Sequence, residues 1–235
     1  MIKKIFRFIF QIIFWLFIGS IALVLLYKWV PVKVTPLMVI RYFENEPTNK
    51  TFWKHDWIPI DGISENLKLA VICSEDQNFL KHSGFDYKAI KKAIDFNRQS
   101  KTTRGASTIS QQTAKNVFLW QQRTWFRKIL ETYFTVLFEF IWPKERILEA
   151  YLNSIEMGKG IYGAKAAAQY WFNKQASQLT IHEAAAIASI LPNPTVYKAR
   201  PASAYIQSRK VWIVNQMKNF GTLEFKDNHD RPHKY

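Results

Sequence analysis

Two adjacent carboxylates, Glu75 and Asp76, close an apolar run from Leu67 to Cys73 that reads as a buried helix. A carboxylate at the end of such a helix is partly desolvated, which makes it a better proton acceptor. Phe79, His82 and a turn marked by Gly84 follow, and Asp86 is placed to cap the next helix. By itself an acidic pair before a loop is more often a solvated helix end than a catalytic group. His82 fits best as a loop histidine that organises Glu75 or Asp86 by hydrogen bonds.

Three later stretches change that balance. In Gly105 to Asn116, a helix capped by Ser107 would bring Thr108, Gln112 and Lys115 onto one polar face that ends in a cation. Its amino terminus, following a glycine, offers free N–H groups to an anion. A merely solvated face would be richer in Glu and Lys. In Arg123 to Glu131, Arg127 and Lys128 stand four and three residues from Glu131. One ion pair would satisfy that carboxylate. The surplus of positive charge, with Arg123, suits a diphosphate, which arginine grips with two donors and lysine as a point charge. In Lys144 to Asn153 the apolar positions say core, and Asn153 either bonds across the site or closes its helix.

The elements that must hold these groups are helices. Ser64 can cap the helix before Glu75, Asp86 the next and Thr124 a long one. Pro143 suits the first residue of the helix that carries Tyr151 and Asn153. Gly158, Gly160 and Gly163 mark a loop before a helix over 164–172. Thr180 and Glu183 form a capping box ahead of an alanine-rich helix, and a last helix over 202–220 stops at Gly221. Strand signals are nearly absent and no internal repeat is seen, so the class is mainly α.

Lysine and arginine number 33 against 18 acidic residues, a net charge of +15, which favours phosphate-bearing partners. The single cysteine, Cys73, allows no internal disulfide and reads as a small buried hydrophobe. Residues 8–28 form a stretch, uncharged until Lys28 closes it, that is long enough to cross a bilayer, with no small-residue cleavage site ending it. They read as a retained transmembrane anchor. Lys3, Lys4 and Arg7 then place residues 1–7 in the cytoplasm and the rest outside. Residues 29–60, broken by four prolines, read as a juxtamembrane linker, 61–221 as the globular domain and 222–235 as a tail. His229 and His233 belong to that tail and lack a third metal ligand. Aromatic and basic residues around 87–104 and 117–128 suit a rim that dips into lipid headgroups.

In this order the four blocks resemble the motifs of the peptidoglycan glycosyltransferases, family 51 of the glycosyltransferases. The matching residues are Glu75-Asp76-x-x-Phe79-x-x-His82-x-Gly84-x-Asp86, Gly105-x-Ser107-Thr108-x-x-Gln111-Gln112-x-x-Lys115-Asn116, Arg127-Lys128-x-x-Glu131 and Ile147-Leu148-Glu149-x-Tyr151-Leu152-Asn153. The single anchor and short length are similar to the monofunctional members. The resemblance implies a mainly α, lysozyme-like helical glycosyltransferase domain behind one N-terminal transmembrane helix, in a bacterial inner membrane with the domain periplasmic. It implies polymerisation of lipid II onto undecaprenyl-diphosphate-linked glycan, alongside cell-wall synthesis or division proteins and without nucleic acid. Glu75 would be the general base, and Glu131 the second catalytic residue on the leaving-group side. Glu131 would also ligate any divalent metal, Mg²⁺ or Mn²⁺, that comes with the diphosphate; no organic cofactor is implied. Asp76, Phe79, His82, Ser107, Thr108, Gln111, Gln112, Lys115, Asn116, Arg123, Arg127, Lys128 and Asn153 would hold substrate. No Ser-x-x-Lys or Lys-Thr-Gly occurs in the sequence, so no transpeptidase is expected. A lysozyme-like hydrolase also uses a helix-end glutamate, but it has no need of the cluster at Lys115, Arg123, Arg127 and Lys128. A basic nucleic-acid-binding protein would share the charge, not the placement outside a membrane.

Overall fold

The computed structural model describes residues 2–44, 54–100, 102 and 104–225. The chain opens with α1 (Ile2–Tyr27), 26 residues whose only charges are Lys3, Lys4 and Arg7. At 1.5 Å per residue it is about 39 Å long, more than the ~30 Å of a bilayer's hydrocarbon. Among the described residues it is the one helix long and apolar enough to cross a membrane. Most of its side chains are exposed, but Val24 near its carboxyl end is fully buried against the domain.

The expected linker at 29–60 is in large part structured. Pro36 starts a helix, α2 (Pro36–Glu44), where a proline costs no hydrogen bond, and Leu37 and Met38 pack on Tyr162. Further on, β1 (Lys54–His55) pairs in parallel with β2 (Ile161–Tyr162). The proline pattern, read as an unbroken irregular segment, missed the helix because one of those prolines is its first residue. Pro47, Phe52 and Trp53 lie outside the described residues.

The domain continues through α3 (Glu65–Glu75), α4 (Tyr87–Gln99), α5 (Ile109–Phe118), α6 (Trp125–Ile141), α7 (Lys144–Ser154), α8 (Gly163–Phe172), α9 (Ile181–Ile190) and α10 (Ala204–Phe220). Local signals set most of the starts. Ser64, Asp86, Thr124 and Ser203 each accept a hydrogen bond from a backbone N–H of the first turn, and Thr180 with Glu183 closes a full capping box. Gly163 has φ +80, and a Cβ there would lie 2.7 Å from the Asn153 carbonyl oxygen. Only glycine lets the loop press that closely on the end of α7.

Two packings fix the frame. The alanines of α9 let it lie close on Leu67, Ala70 and Val71 of α3, with α10 covering both through Ile206, Ile213 and Met217. On the other side α5 packs between α6 and α7 around Phe138, Trp142, Leu148 and Tyr151, all at or near zero exposure. Burying side chains of this size is worth roughly 1.5–3 kcal/mol each. Asp76 joins the two halves. It follows α3 and accepts the N–H of Ile109, the first residue of α5, at 3.0 Å. A carboxylate at that position both satisfies an orphan donor and sits at the positive end of the helix.

Candidate active site

Glu75 is the last residue of α3, and its neighbours decide what it can do. Ser74 Oγ donates to its Oε1 at 3.2 Å and Gln112 Nε2 to its Oε2 at 3.0 Å. Both donors are neutral, and among the described residues no cation forms an ion pair with Glu75. Its charge is held in place without being neutralised. Gln112 is itself fixed from behind, because the fully buried Tyr151 hydroxyl donates to its Oε1 at 3.1 Å. Burial, and then the negative charges of Glu75 and Asp76, hold the Tyr151 phenol well above its usual range, so it keeps the proton it donates.

Glu131 has the opposite surroundings. It is almost fully buried on α6, where Arg127 Nη1 meets its Oε2 at 2.6 Å and Lys128 Nζ meets its Oε1. Gln122 O holds the Arg127 Nε at 2.8 Å, so the guanidinium is pinned from two sides. Lys115 completes the group from α5. Burial pulls its ammonium below the ordinary lysine range; Glu131 opposes the shift, while Arg127, Arg123 and Lys128 add to it. A lysine held among like charges with one carboxylate to share is short of negative charge, which an anion would supply.

The two carboxylates open on adjoining cavities. One, of about 700 Å³, is lined by Lys115, Arg123, Arg127, Lys128 and Glu131. The other, of about 990 Å³, is lined by Glu75, Asp76, Lys88, Lys92 and the rim of α10. Gly105, Ser107 and Gln112 line both, so the two form one cleft with Gln112 at its waist.

The remaining predicted site residues divide into braces and linings. Gln111 and Ser107 line the cleft. The cap of α5 is Thr108 rather than Ser107, one residue later than expected. Thr108 and Gln111 exchange bonds in a capping box, and Thr108 Oγ1 donates to Gly84 O at 2.6 Å. Of two neighbouring hydroxyls, the one with a glutamine three residues on wins. Its hydroxyl is thereby spent on the fold, and the polar face starts at Gln112. His82 Nε2 lies 3.0 Å from both oxygens of Asp76, so it organises that residue and not Glu75 or Asp86. Asp86 caps α4 and takes a bond from Asn78, the chief cause of its lowered pKa, with the Ala89 N–H next.

Besides His82, three residues expected to bind substrate do not line the cleft. Phe79 is fully buried core beneath the Lys144 ammonium. Asn116 is buried and accepts from Gln121 Nε2 at 3.3 Å. Asn153 is fully buried, taking the Ile58 N–H at 2.9 Å and donating to Ile58 O and Glu149 O, each at 2.9 Å. Ser74, Tyr151 as a brace, and Tyr205, Ser208, Arg209 and Trp212 on α10 were not singled out. The hydroxyls and the α10 residues carry no spacing signal that separates them from an ordinary helix face.

A divalent ion at Glu131 would have to come with the diphosphate, as the resemblance implies, because the described residues offer this one carboxylate and no cluster around it. Arg127 and Lys128 take both its oxygens, and no group of three His, Cys, Asp or Glu side chains able to hold a metal occurs among the described residues. Cations, not ligands, surround it.

The cleft therefore has one unneutralised carboxylate and a separate cationic end. The family model described as Transglycosylase matches residues 44–218. A biosynthetic peptidoglycan transglycosylase of Bacteroides thetaiotaomicron is 51% identical over 217 residues, covering 92% of this chain and 88% of that protein. One from Pseudomonas putida is 48% identical over 225 residues, 94% of each. A third, from Bdellovibrio bacteriovorus, is 48% identical over 202 residues, 86% of this chain and 81% of the relative. Matched over most of its length by both the family and these relatives, the chain belongs to the transglycosylase family.

Proposed function

We propose that this chain is the peptidoglycan glycosyltransferase that joins lipid II into β-1,4-linked glycan strands, releasing undecaprenyl diphosphate with inversion at the anomeric carbon. Family and relatives support polymerisation of cell-wall glycan, and the 235 residues carry none of the transpeptidase signatures. One observation carries the division of labour: Glu75 is held by neutral donors only, while Glu131 lies in a knot of cations at the other end of the same cleft. A carboxylate without an ion partner is the one able to take a proton.

In this reading Glu75 accepts the proton of the acceptor sugar's hydroxyl as its oxygen attacks the donor's anomeric carbon. The diphosphate leaves toward Lys115, Arg123, Arg127 and Lys128, which offset its growing charge. Glu131 aims Arg127 and Lys128, and no step is assigned to a metal. Gln112, locked by Tyr151, keeps Glu75 turned into the cleft. Asp76, His82 and Thr108 hold the ends of α3 and α5 in register.

The membrane has a part in the same scheme, because both substrates carry lipid. The face of α6 opposite Arg127 and Glu131 presents Trp125, Ile129, Val136 and Phe140, each more than half exposed. That stripe continues α1, which touches α6 through Ser20 and Tyr133 at 2.7 Å. Tyr87, Ile94 and Phe96 on α4 are exposed as well. A single helix therefore faces lipid on one side and the cationic end of the cleft on the other. Lys3, Lys4 and Arg7 orient the amino terminus to the cytoplasm, which sets the domain on the far side.

Replacing Glu75 by Gln keeps the shape and one acceptor, enough for Gln112, while the other atom becomes a donor toward the Ser74 hydroxyl and the base is removed. Lipid II polymerisation should fall at least about 100-fold with an unchanged thermal melt. Wild-type rates in Glu75→Gln would end the assignment, and cleavage of preformed glycan without polymer from lipid II would point to a hydrolase.

A further inference from the structure

One wall of the Glu75 cavity is made by a stripe of α10, Tyr205, Ser208, Arg209 and Trp212. Spaced i, i+3, i+4 and i+7, these residues share a face beside the one that packs the core through Ile206, Ile213 and Met217. The helix is thus already anchored without them. Tyr205 and Trp212 nevertheless stand 54% and 45% exposed at the cavity's edge. Tyr205 leans on Tyr197, their rings 5.5 Å apart, whereas Trp212 has no ring partner among the described residues.

Arg209, between them, is tied to the catalytic carboxylate. Its Nη2 donates to Ser74 Oγ at 3.1 Å, and that hydroxyl donates to Glu75. Among the described residues it has no carboxylate partner, and its Nε is shut from solvent without an acceptor. Its Nη1 forms no hydrogen bond either but, unlike Nε, is not shut off, so it is the donor that an oxygen arriving in the cavity can meet. Two aromatic planes and one unfilled donor, side by side within reach of Glu75, match an N-acetylated sugar. The rings take the flat C–H faces of the pyranose, and Arg209 takes the acetamido oxygen.

We propose that Tyr205, Arg209 and Trp212 of α10 form a binding platform for an N-acetylhexosamine unit of the glycan substrate, next to Glu75. The platform adds affinity common to ground and transition states, so its loss raises KM and leaves kcat. It rests on the reading that Glu75 meets a sugar hydroxyl.

Two measurements on the full chain test it. The first is saturation-transfer NMR with the β-1,4-linked tetramer of N-acetylglucosamine. The second is the rate of polymerisation against lipid II concentration. Trp212→Ala should lose the ring-proton transfer to the tetramer and raise KM about tenfold, with kcat within about twofold of wild type and an unchanged melt. Trp212→Phe, which keeps an aromatic plane, should restore most of both. Equal transfer in wild type and Trp212→Ala, or a fall in kcat at constant KM, overturns the platform. A wild type that binds the tetramer through Trp212 but makes no polymer removes the polymerase reading and leaves the platform standing. Normal polymerisation at unaltered KM in Trp212→Ala does the reverse.

Discussion

At the level of single residues, the cleft separates charge by the kind of donor each acid meets. Glu75 receives a hydroxyl and an amide, and Glu131 receives a guanidinium and an ammonium. Arginine stays charged at every working pH, and of the two lysines of the cationic end Lys115 is the one withdrawn from solvent. Its pKa is lowered first by burial and then by Arg127, Arg123 and Lys128, against the pull of Glu131. The protonated form is the one that binds a diphosphate. Activity is therefore complete below the lowered pKa and is lost as pH rises through it, earlier than for an exposed lysine. The profile of kcat/KM, which reports the free enzyme, should show that alkaline limb. In Lys115→Arg the limb should move to higher pH whatever happens to the absolute rate. An unmoved limb would mean that another group sets it.

At the level of elements, what could be read from sequence is what is local. Ser64, Asp86, Thr124 and Thr180 start their helices as expected because a cap and its first turn are within four residues of each other. Relations between distant segments are not encoded in spacing. Nothing in the proline-marked run before Ile60 shows that Ile58 will present its N–H and C=O to a side chain 95 residues on. Asn153 closes that link almost as a strand neighbour would, and for the same reason it faces inward while its motif suggested the site. Asn153→Ala should cost about 2 kcal/mol by stranding the Ile58 backbone pair. The thermal midpoint should drop, while the rate per folded molecule holds within about twofold of wild type, the mark of a brace. A collapse in rate at unchanged stability would return Asn153 to the substrate. The α10 stripe is set apart by a relation of the same kind, since only the packing shows that Ile206, Ile213 and Met217 already supply the core beside it.

For the molecule as a whole, the join between α1 and the domain matters most, because it decides where the cleft lies relative to the bilayer. The anchor is not a slack tether. Trp142 Nε1 donates to Val24 O at 2.8 Å, and Arg146 reaches Tyr27 O at 2.8 and 3.1 Å and Val30 O at 2.8 Å. Val24 O and Tyr27 O are among the last carbonyls of α1, which the end of a helix leaves open, and a buried cation is also suited to the negative end of its dipole. The same guanidinium lies between the Trp57 and Trp142 rings and pairs with Glu149 at 2.9 Å, so α1 is locked to the centre of the domain. Lipid-borne substrates can reach the cleft only at one height, and a displacement of an ångström at the reacting groups can cost about 100-fold. Arg146→Ala should free the anchor without touching Glu75 or the cations. Polymerisation in proteoliposomes should then fall about tenfold, and clearly less in detergent micelles, where substrate is not held in a plane. Equal losses in both media would show that Arg146 serves only the stability of the fold.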